Sequence, residues 1–135
     1  MERCASMRFI ARCWQAKGNT VEAKKWLYRA IAECPDTREP YTDMARLGYA
    51  LSDWPLTYYM AEAALRITDK PVAYLTDEQS WDHSPYDLGA IACYRIGLYE
   101  RSRELAEQAC AIRPDDTRLK KNLKLIEGKC KEMEQ

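Results

Sequence analysis

Apolar positions along this chain fall in short clusters of helical spacing broken by charged residues, and the clusters recur. Residues 7–35 carry Ala11, Trp14, Gly18, Ala23, Leu27, Ala30 and Pro35, and residues 86–114 carry Ala90, Gly97, Tyr99, Ala106, Ala109 and Pro114 at matching offsets. A middle segment fits the same frame through Tyr41, Ala45, Gly48, Trp54, Ala61, Ala64 and Asp69. Small residues at fixed places let paired helices cross closely, larger ones fill the space between neighbouring pairs, and a proline ends a second helix. The pattern predicts an all-α chain of stacked helix-turn-helix units.

Local signals place the elements. Gly18-Asn19-Thr20 breaks the first pair, and Asn19 with Glu22 offers a capping-box-like start. Pro40, Pro55 and Pro85 sit where first-turn prolines are tolerated. Ser84, with Asp87 three residues on, marks another start, and Gly97 ends that helix before Tyr99 opens its partner. After Pro114, Asp115 or Asp116 can cap a last helix, which sets Leu119, Leu123 and Ile126 on one face and Arg118, Lys120, Lys121 and Lys124 largely on the other. Such a polar outer face suits the end of a stack. The expected division is one domain with units at about 4–37, 38–71 and 83–116, an insertion at about 70–84 and a capping helix at about 115–133.

Ala11 and Ala45 lie 34 positions apart. Together with Gly18, Ala23, Ala30 and Pro35 in the first unit and Ala90, Gly97, Tyr99, Ala109 and Pro114 in the third, that period resembles the tetratricopeptide repeat (TPR) family. The resemblance covers about residues 7–114 plus the last helix. It implies a right-handed α-α superhelix of three helix pairs plus a C-terminal capping helix. The middle unit departs from the family pattern, with Ser52 at the turn glycine, Thr57 at the small alanine and Asp69 at the closing proline. Within the family, the run from Trp81 to Tyr99 and the phrase from Ala111 to Leu123 are similar to repeat regions that follow the catalytic domain in bacterial family 2 glycosyltransferases. That narrower resemblance implies an accessory region whose partner is the catalytic domain of a parent enzyme.

Composition changes this picture little. With 21 Lys and Arg against 21 Asp and Glu, the chain is formally neutral, which argues against nucleic acid as the main partner. No apolar run reaches the length of a membrane span, and Met1 to Arg12 lacks the uninterrupted apolar stretch of a signal peptide, so a cytoplasmic protein is expected. The 6 cysteines form no C-x-x-C pair and are expected free and mostly buried.

A search for catalysis yields none. No Gly-rich phosphate loop, G-x-S-x-G or H-E-x-x-H occurs, and the Asp-x-Asp motif of metal-dependent glycosyltransferases is missing. A metal site at the single histidine, His83, with Asp82 and Asp87, lacks a second imidazole or thiolate, and Asp77-Glu78 suits surface solvation better than acid-base work. No catalytic, cofactor-binding or metal-binding residues are therefore expected.

The candidate site is the concave groove that the first helix of each pair lines in a stack of this type. In register, Arg8 and Arg12 come from the first unit, Thr42, Arg46 and Tyr49 from the second, and Asp87, Ile91, Tyr94 and Arg95 from the third. Trp81 in the insertion is expected to dock against the third pair or the groove. Four arginines with two tyrosines and one carboxylate point to an anion-preferring groove, although such arginines also serve merely to pair with glutamates on adjacent turns. The family's chaperone-binding clamp is not expected, because Arg8, Arg12, Asp43, Ser84 and Leu88 stand near its Lys, Asn, Asn, Lys and Arg. Two functions stay open: the accessory region of a glycosyltransferase, and a free-standing adaptor that grips an acidic peptide or protein. Self-association stays open with either.

Overall fold

The computed structural model describes residues 2–69 and 78–134. Among them are seven α-helices: α1 Glu2–Ala16, α2 Thr20–Glu33, α3 Glu39–Ala50, α4 Trp54–Leu65, α5 Ser84–Ile96, α6 Tyr99–Ile112 and α7 Thr117–Glu134. A 3₁₀ turn at Glu78–Trp81 precedes α5. Helices α1 and α2, α3 and α4, and α5 and α6 pack most extensively, and each pair then meets the next helix in the chain. The described residues form an all-α helical repeat fold.

The three pairs turn in the same way. Gly18 and Gly97 take φ of +79° and +88°, and Ser52 takes +56° at the equivalent place. Beyond each, an amide reaches back five residues to a carbonyl: Asn19 to Trp14 at 2.9 Å, Asp53 to Gly48 at 2.8 Å and Leu98 to Cys93 at 2.8 Å. This six-to-one bond satisfies a carbonyl that the helix end would leave bare, and it requires a left-handed residue before the donor. Only the middle turn asks that of a residue with a side chain.

Helix starts use several devices. Asn19 accepts from the Glu22 amide at 3.1 Å, Asp53 from Leu56 at 3.2 Å and Asp116 from Leu119 at 3.1 Å. Pro40, Pro55 and Pro85 occupy first-turn positions of α3, α4 and α5. Ser84 does not cap α5: it is the first helical residue, and the preceding His83 makes no side-chain capping bond. The proline alone presets the backbone there.

The core follows the recurring small residues. Ala11, Ala23, Leu27, Met44 and Leu47 form one cluster, Ala45, Ala61 and Leu88 a second, and Ala90, Cys93, Leu105, Ala106, Ile126 and Cys130 a third. Gly48 marks the closest approach, since a Cβ there would meet the Thr57 hydroxyl at 2.7 Å and the Thr57 amide nitrogen at 3.0 Å. Thr57 itself is fully buried and donates to the Asp53 carbonyl at 2.9 Å, so its hydroxyl is satisfied within its own turn. Arg101 on α6 ties to Glu62 on α4 at 2.8 Å across neighbouring pairs.

Of the expected insertion, residues 70–77 lie outside the described residues. Its far end is fastened to the start of α3. The buried Arg38 donates to the Ile67 carbonyl at 2.7 Å and to the Ser80 carbonyl at 3.4 Å. Its guanidinium also lies 4.4 Å from the Trp81 ring centre, while the Trp81 indole N–H donates to Glu39 Oε1 at 3.0 Å. The Trp81 side chain thus docks at the start of α3 in the second pair, while the 3₁₀ turn that carries it packs against α5 of the third pair, and it does not line the groove. The reason is chemical, because the start of α3 offers both a cation for the ring face and an acceptor for the N–H.

Candidate functional site

The odd-numbered helices carry the surface around two cavities that meet at α3. The first, about 460 Å³, is lined by Arg8, Ala11, Arg12 and Gln15 of α1, Leu27 of α2, and Asp43 and Arg46 of α3. The second, about 400 Å³, has Tyr49 of α3 on one side, Asp87, Ile91, Tyr94 and Arg95 of α5 along another, and Arg118, Asn122 and Leu125 of α7 opposite. Its floor is made of Ala90, Ala106, Ala109, Leu119 and Ile126. Arg46 and Tyr49 are three residues apart on one helix, so the two cavities are adjacent parts of one groove.

Seven of the eight groove residues expected on the first helices in addition to Ile91 and Trp81 line these cavities: Arg8, Arg12 and Arg46 the first, and Tyr49, Asp87, Tyr94 and Arg95 the second. Thr42 does not. It is fully buried, and its hydroxyl donates to the Arg38 carbonyl at 3.0 Å, one turn back on its own helix. Trp81 lines neither cavity, being held at the start of α3.

Asp43 is the residue that the sequence register left out of the groove. It receives Arg8 Nε at 2.6 Å and Arg8 Nη2 at 3.3 Å, and Arg46 Nη1 at 3.1 Å. The Arg8 and Asp43 side chains are only 10% and 13% exposed, so this bidentate pair is mainly structural, and their desolvation offsets much of the attraction. Its position three residues before Arg46 put it on the same face, a signal available in the sequence. Helix α7 also contributes to the groove wall, through Arg118, Asn122 and Leu125, in addition to covering the end of the core with Leu119 and Ile126.

In the second cavity the charged groups are held by one another and by flanking rings. Arg118 donates to both oxygens of Asp87, at 2.6 and 3.4 Å, joining α7 to α5. That hydrogen bond raises the Arg118 guanidinium above its ordinary pKa. Arg95 lies 5.3 Å from the Trp54 ring centre, and Tyr49 meets Trp54 edge-on with ring centres 5.8 Å apart. Tyr94 stacks edge-on with Tyr99 at 5.6 Å. The two rims thus rest on aromatic supports whose rings cost little entropy to order.

Counting the lining residues of both cavities gives five arginines against two aspartates, a net +3, on a chain whose formal charge is +0. Positive charge is therefore concentrated in the groove. Arg12 is exposed and makes no ion pair or hydrogen bond with its side chain among the described residues.

No family model matches the sequence, and no curated protein matches it. A solved structure does, over 96% of this chain and 94% of the other, with a TM-score of 0.78 and 12% sequence identity: the first TPR of Spaghetti (RPAP3) bound to the HSP90 peptide SRMEEVD. The fold is TPR-like. At that identity the likeness speaks for the fold alone, and the TPR-like arrangement accounts for why the odd-numbered helices share one face. Among the described residues no helix is long and apolar enough to cross a membrane.

Proposed function

We propose that this chain is a protein-interaction domain whose concave groove binds an acidic peptide segment of a partner. The observation that carries the proposal is the net +3 of the groove residues on a neutral chain. Arginine offers paired donors to carboxylates, and a basic concavity raises the local concentration of an acidic ligand. The TPR-like structure that shares this fold holds a peptide, SRMEEVD, which supports a peptide ligand. Here, however, Asp43 neutralises Arg8 and part of Arg46. Carboxylates spread along the ligand suit this groove better than a single C-terminal carboxylate gripped at one point. Arg12, bonded to no other side chain of the described residues, is the clearest probe. Binding of a labelled peptide of alternating Glu and Ser is measured by fluorescence anisotropy at two salt concentrations. Arg12→Glu should weaken it and flatten its salt dependence; an unchanged affinity and slope in a folded variant would sink the proposal.

A second reading, the accessory region of a bacterial glycosyltransferase, is supported by the similarity of the Trp81-to-Tyr99 run and the Ala111-to-Leu123 phrase to such regions. On that reading the acidic segment belongs to the catalytic domain. Its test is the genomic reading frame: a continuous frame encoding a nucleotide-sugar domain upstream supports it, and a native start codon at Met1 refutes it.

A further inference from the structure

We infer that the half of the groove between α5 and α7 is a specificity pocket for one bulky apolar side chain, set about two residues from a carboxylate in the partner segment. The inference rests on the proposed acidic-peptide groove and adds what that groove selects. The pocket's floor is apolar and made of small, well-packed side chains, with Ala90, Ala106 and Ala109 each no more than 4% exposed, so an occupant would rest on a rigid apolar base. Its volume of about 400 Å³ falls within the range of sites that bury a ligand group. Its walls hold apolar surface towards that space: Leu125 is 61% exposed and Tyr49 46%.

Charge decides what kind of occupant fits. Arg95 and Arg118 against Asp87 leave the rim at net +1, and the first cavity adds Arg46 one turn away on α3 and Arg12 on α1. A wholly apolar occupant would cover the Tyr49 side and leave these guanidinium groups facing it. A segment with carboxylates beside the apolar group satisfies both surfaces. The spacing follows from the helix: neighbouring turns on α3 put Tyr49 and Arg46 about 5–6 Å apart at Cβ, and extended chain covers that distance in about two residues. The partner motif is therefore a large aliphatic or aromatic residue, one intervening residue, then Glu or Asp, in either chain direction.

The test uses the full chain and three labelled synthetic peptides of about ten residues. One carries Leu two positions from Glu in a Glu-Ser background, the second has Ala in place of Leu, and the third keeps Leu but replaces every Glu with Gln. The Leu-Glu peptide should bind about tenfold or more tighter than the Ala peptide, the size expected when a leucine side chain leaves water. It should also lose salt-dependent binding on conversion to the Gln form. Leu125→Ser lies on an exposed surface, and circular dichroism checks that it folds; it should shrink the preference for Leu over Ala to less than about threefold. Equal binding of the Leu and Ala peptides overturns the pocket while leaving the acidic groove standing. If only the Gln form binds, the acidic groove fails and the carboxylate rule with it. Dimerisation of the chain alone, abolished by Leu125→Ser, overturns the inference in favour of a second copy as occupant.

Discussion

The middle inter-helix turn holds a residue that its backbone does not favour, and replacing it should stabilise the fold. Ser52 has φ +56°, where the two equivalent turns use Gly18 and Gly97. A left-handed backbone costs an ordinary L-residue roughly 1–2 kcal/mol through contact between Cβ and the carbonyl. Ser52 is exposed, and its hydroxyl bonds to nothing among the described residues, so removing the side chain sacrifices no native contact. Against the relief stands the greater freedom of glycine in the unfolded chain, about 0.4–1 kcal/mol. Ser52→Gly should therefore gain about 0.5–1 kcal/mol net, around the difference of the middle values of these two ranges. For a chain of this size the unfolding entropy is about 0.3 kcal/mol per degree, so the melting midpoint should rise by about 2–4 °C. Thermal denaturation followed by circular dichroism measures it. The reverse change supplies the control: a Cβ at Gly97 would meet nothing within 4 Å, so Gly97→Ser should lose stability by conformation alone. If Ser52→Gly melts at or below the parent temperature while Gly97→Ser is destabilised, the turn argument is wrong, and Ser52 contributes something its contacts do not reveal.

Two further outcomes follow from the packing. Gly48→Ala should cost the upper part of about 1–3 kcal/mol in urea denaturation, because its Cβ would press on the Thr57 hydroxyl at 2.7 Å and on backbone atoms at 3.0 and 3.2 Å. Gly89→Ala should cost less, since its nearest obstacle is a methyl of Leu105 at 2.9 Å; equal costs would refute the distinction between yielding side chain and fixed backbone. The fully buried Cys93 thiol is pushed up to about 12 by burial and then by Glu62, from an ordinary 9.0. The fold holds this proton more tightly than the unfolded chain does, so the stabilisation is complete below about pH 9 and is lost as pH climbs towards about 12. Urea midpoints at about pH 8 and about pH 10.5 should differ less in Cys93→Ala than in the parent, and an unaltered difference would show that another group governs the alkaline limb.

The fold was legible because its determinants are local and repeated. Gly18, Gly97 and the first-turn prolines carry backbone requirements that few other residues meet, and the alanines fall where helices cross. Even the departures are informative: Ser52 and Thr57, which break the family pattern, occupy the one of the three inter-helix turns with a left-handed residue that is not glycine, and the close crossing against Gly48. Less legible was what depends on the third dimension. Thr42 shares the helical spacing of the groove residues, yet it faces inwards and spends its hydroxyl on the Arg38 carbonyl. Trp81 carries an apolar signal that does not name its partners, and these, Arg38 and Glu39, lie about 40 residues earlier in the chain.

Asp43 bears most directly on what the groove can do. Seen as four arginines and one carboxylate, the first helices make an almost bare cationic surface. With Asp43 held at 2.6 Å from Arg8 and 3.1 Å from Arg46, and Asp87 at 2.6 Å from Arg118, much of that charge is engaged within the chain. Pairs as enclosed as Arg8 and Asp43 fix the groove's shape, because separating them would leave a charge out of water. Arg12, and Arg95 on its tryptophan support, are the cations a ligand can recruit without breaking an ion pair. They flank the groove from opposite sides, α1 and α5, with Tyr49 between. An acidic segment that reaches both must cross α3 beside Tyr49, which is also the α3 edge of the apolar pocket. Electrostatic attraction and apolar anchoring are therefore coupled by the order of the helices, which is why the Leu-Glu, Ala and Gln peptides are to be compared on one protein.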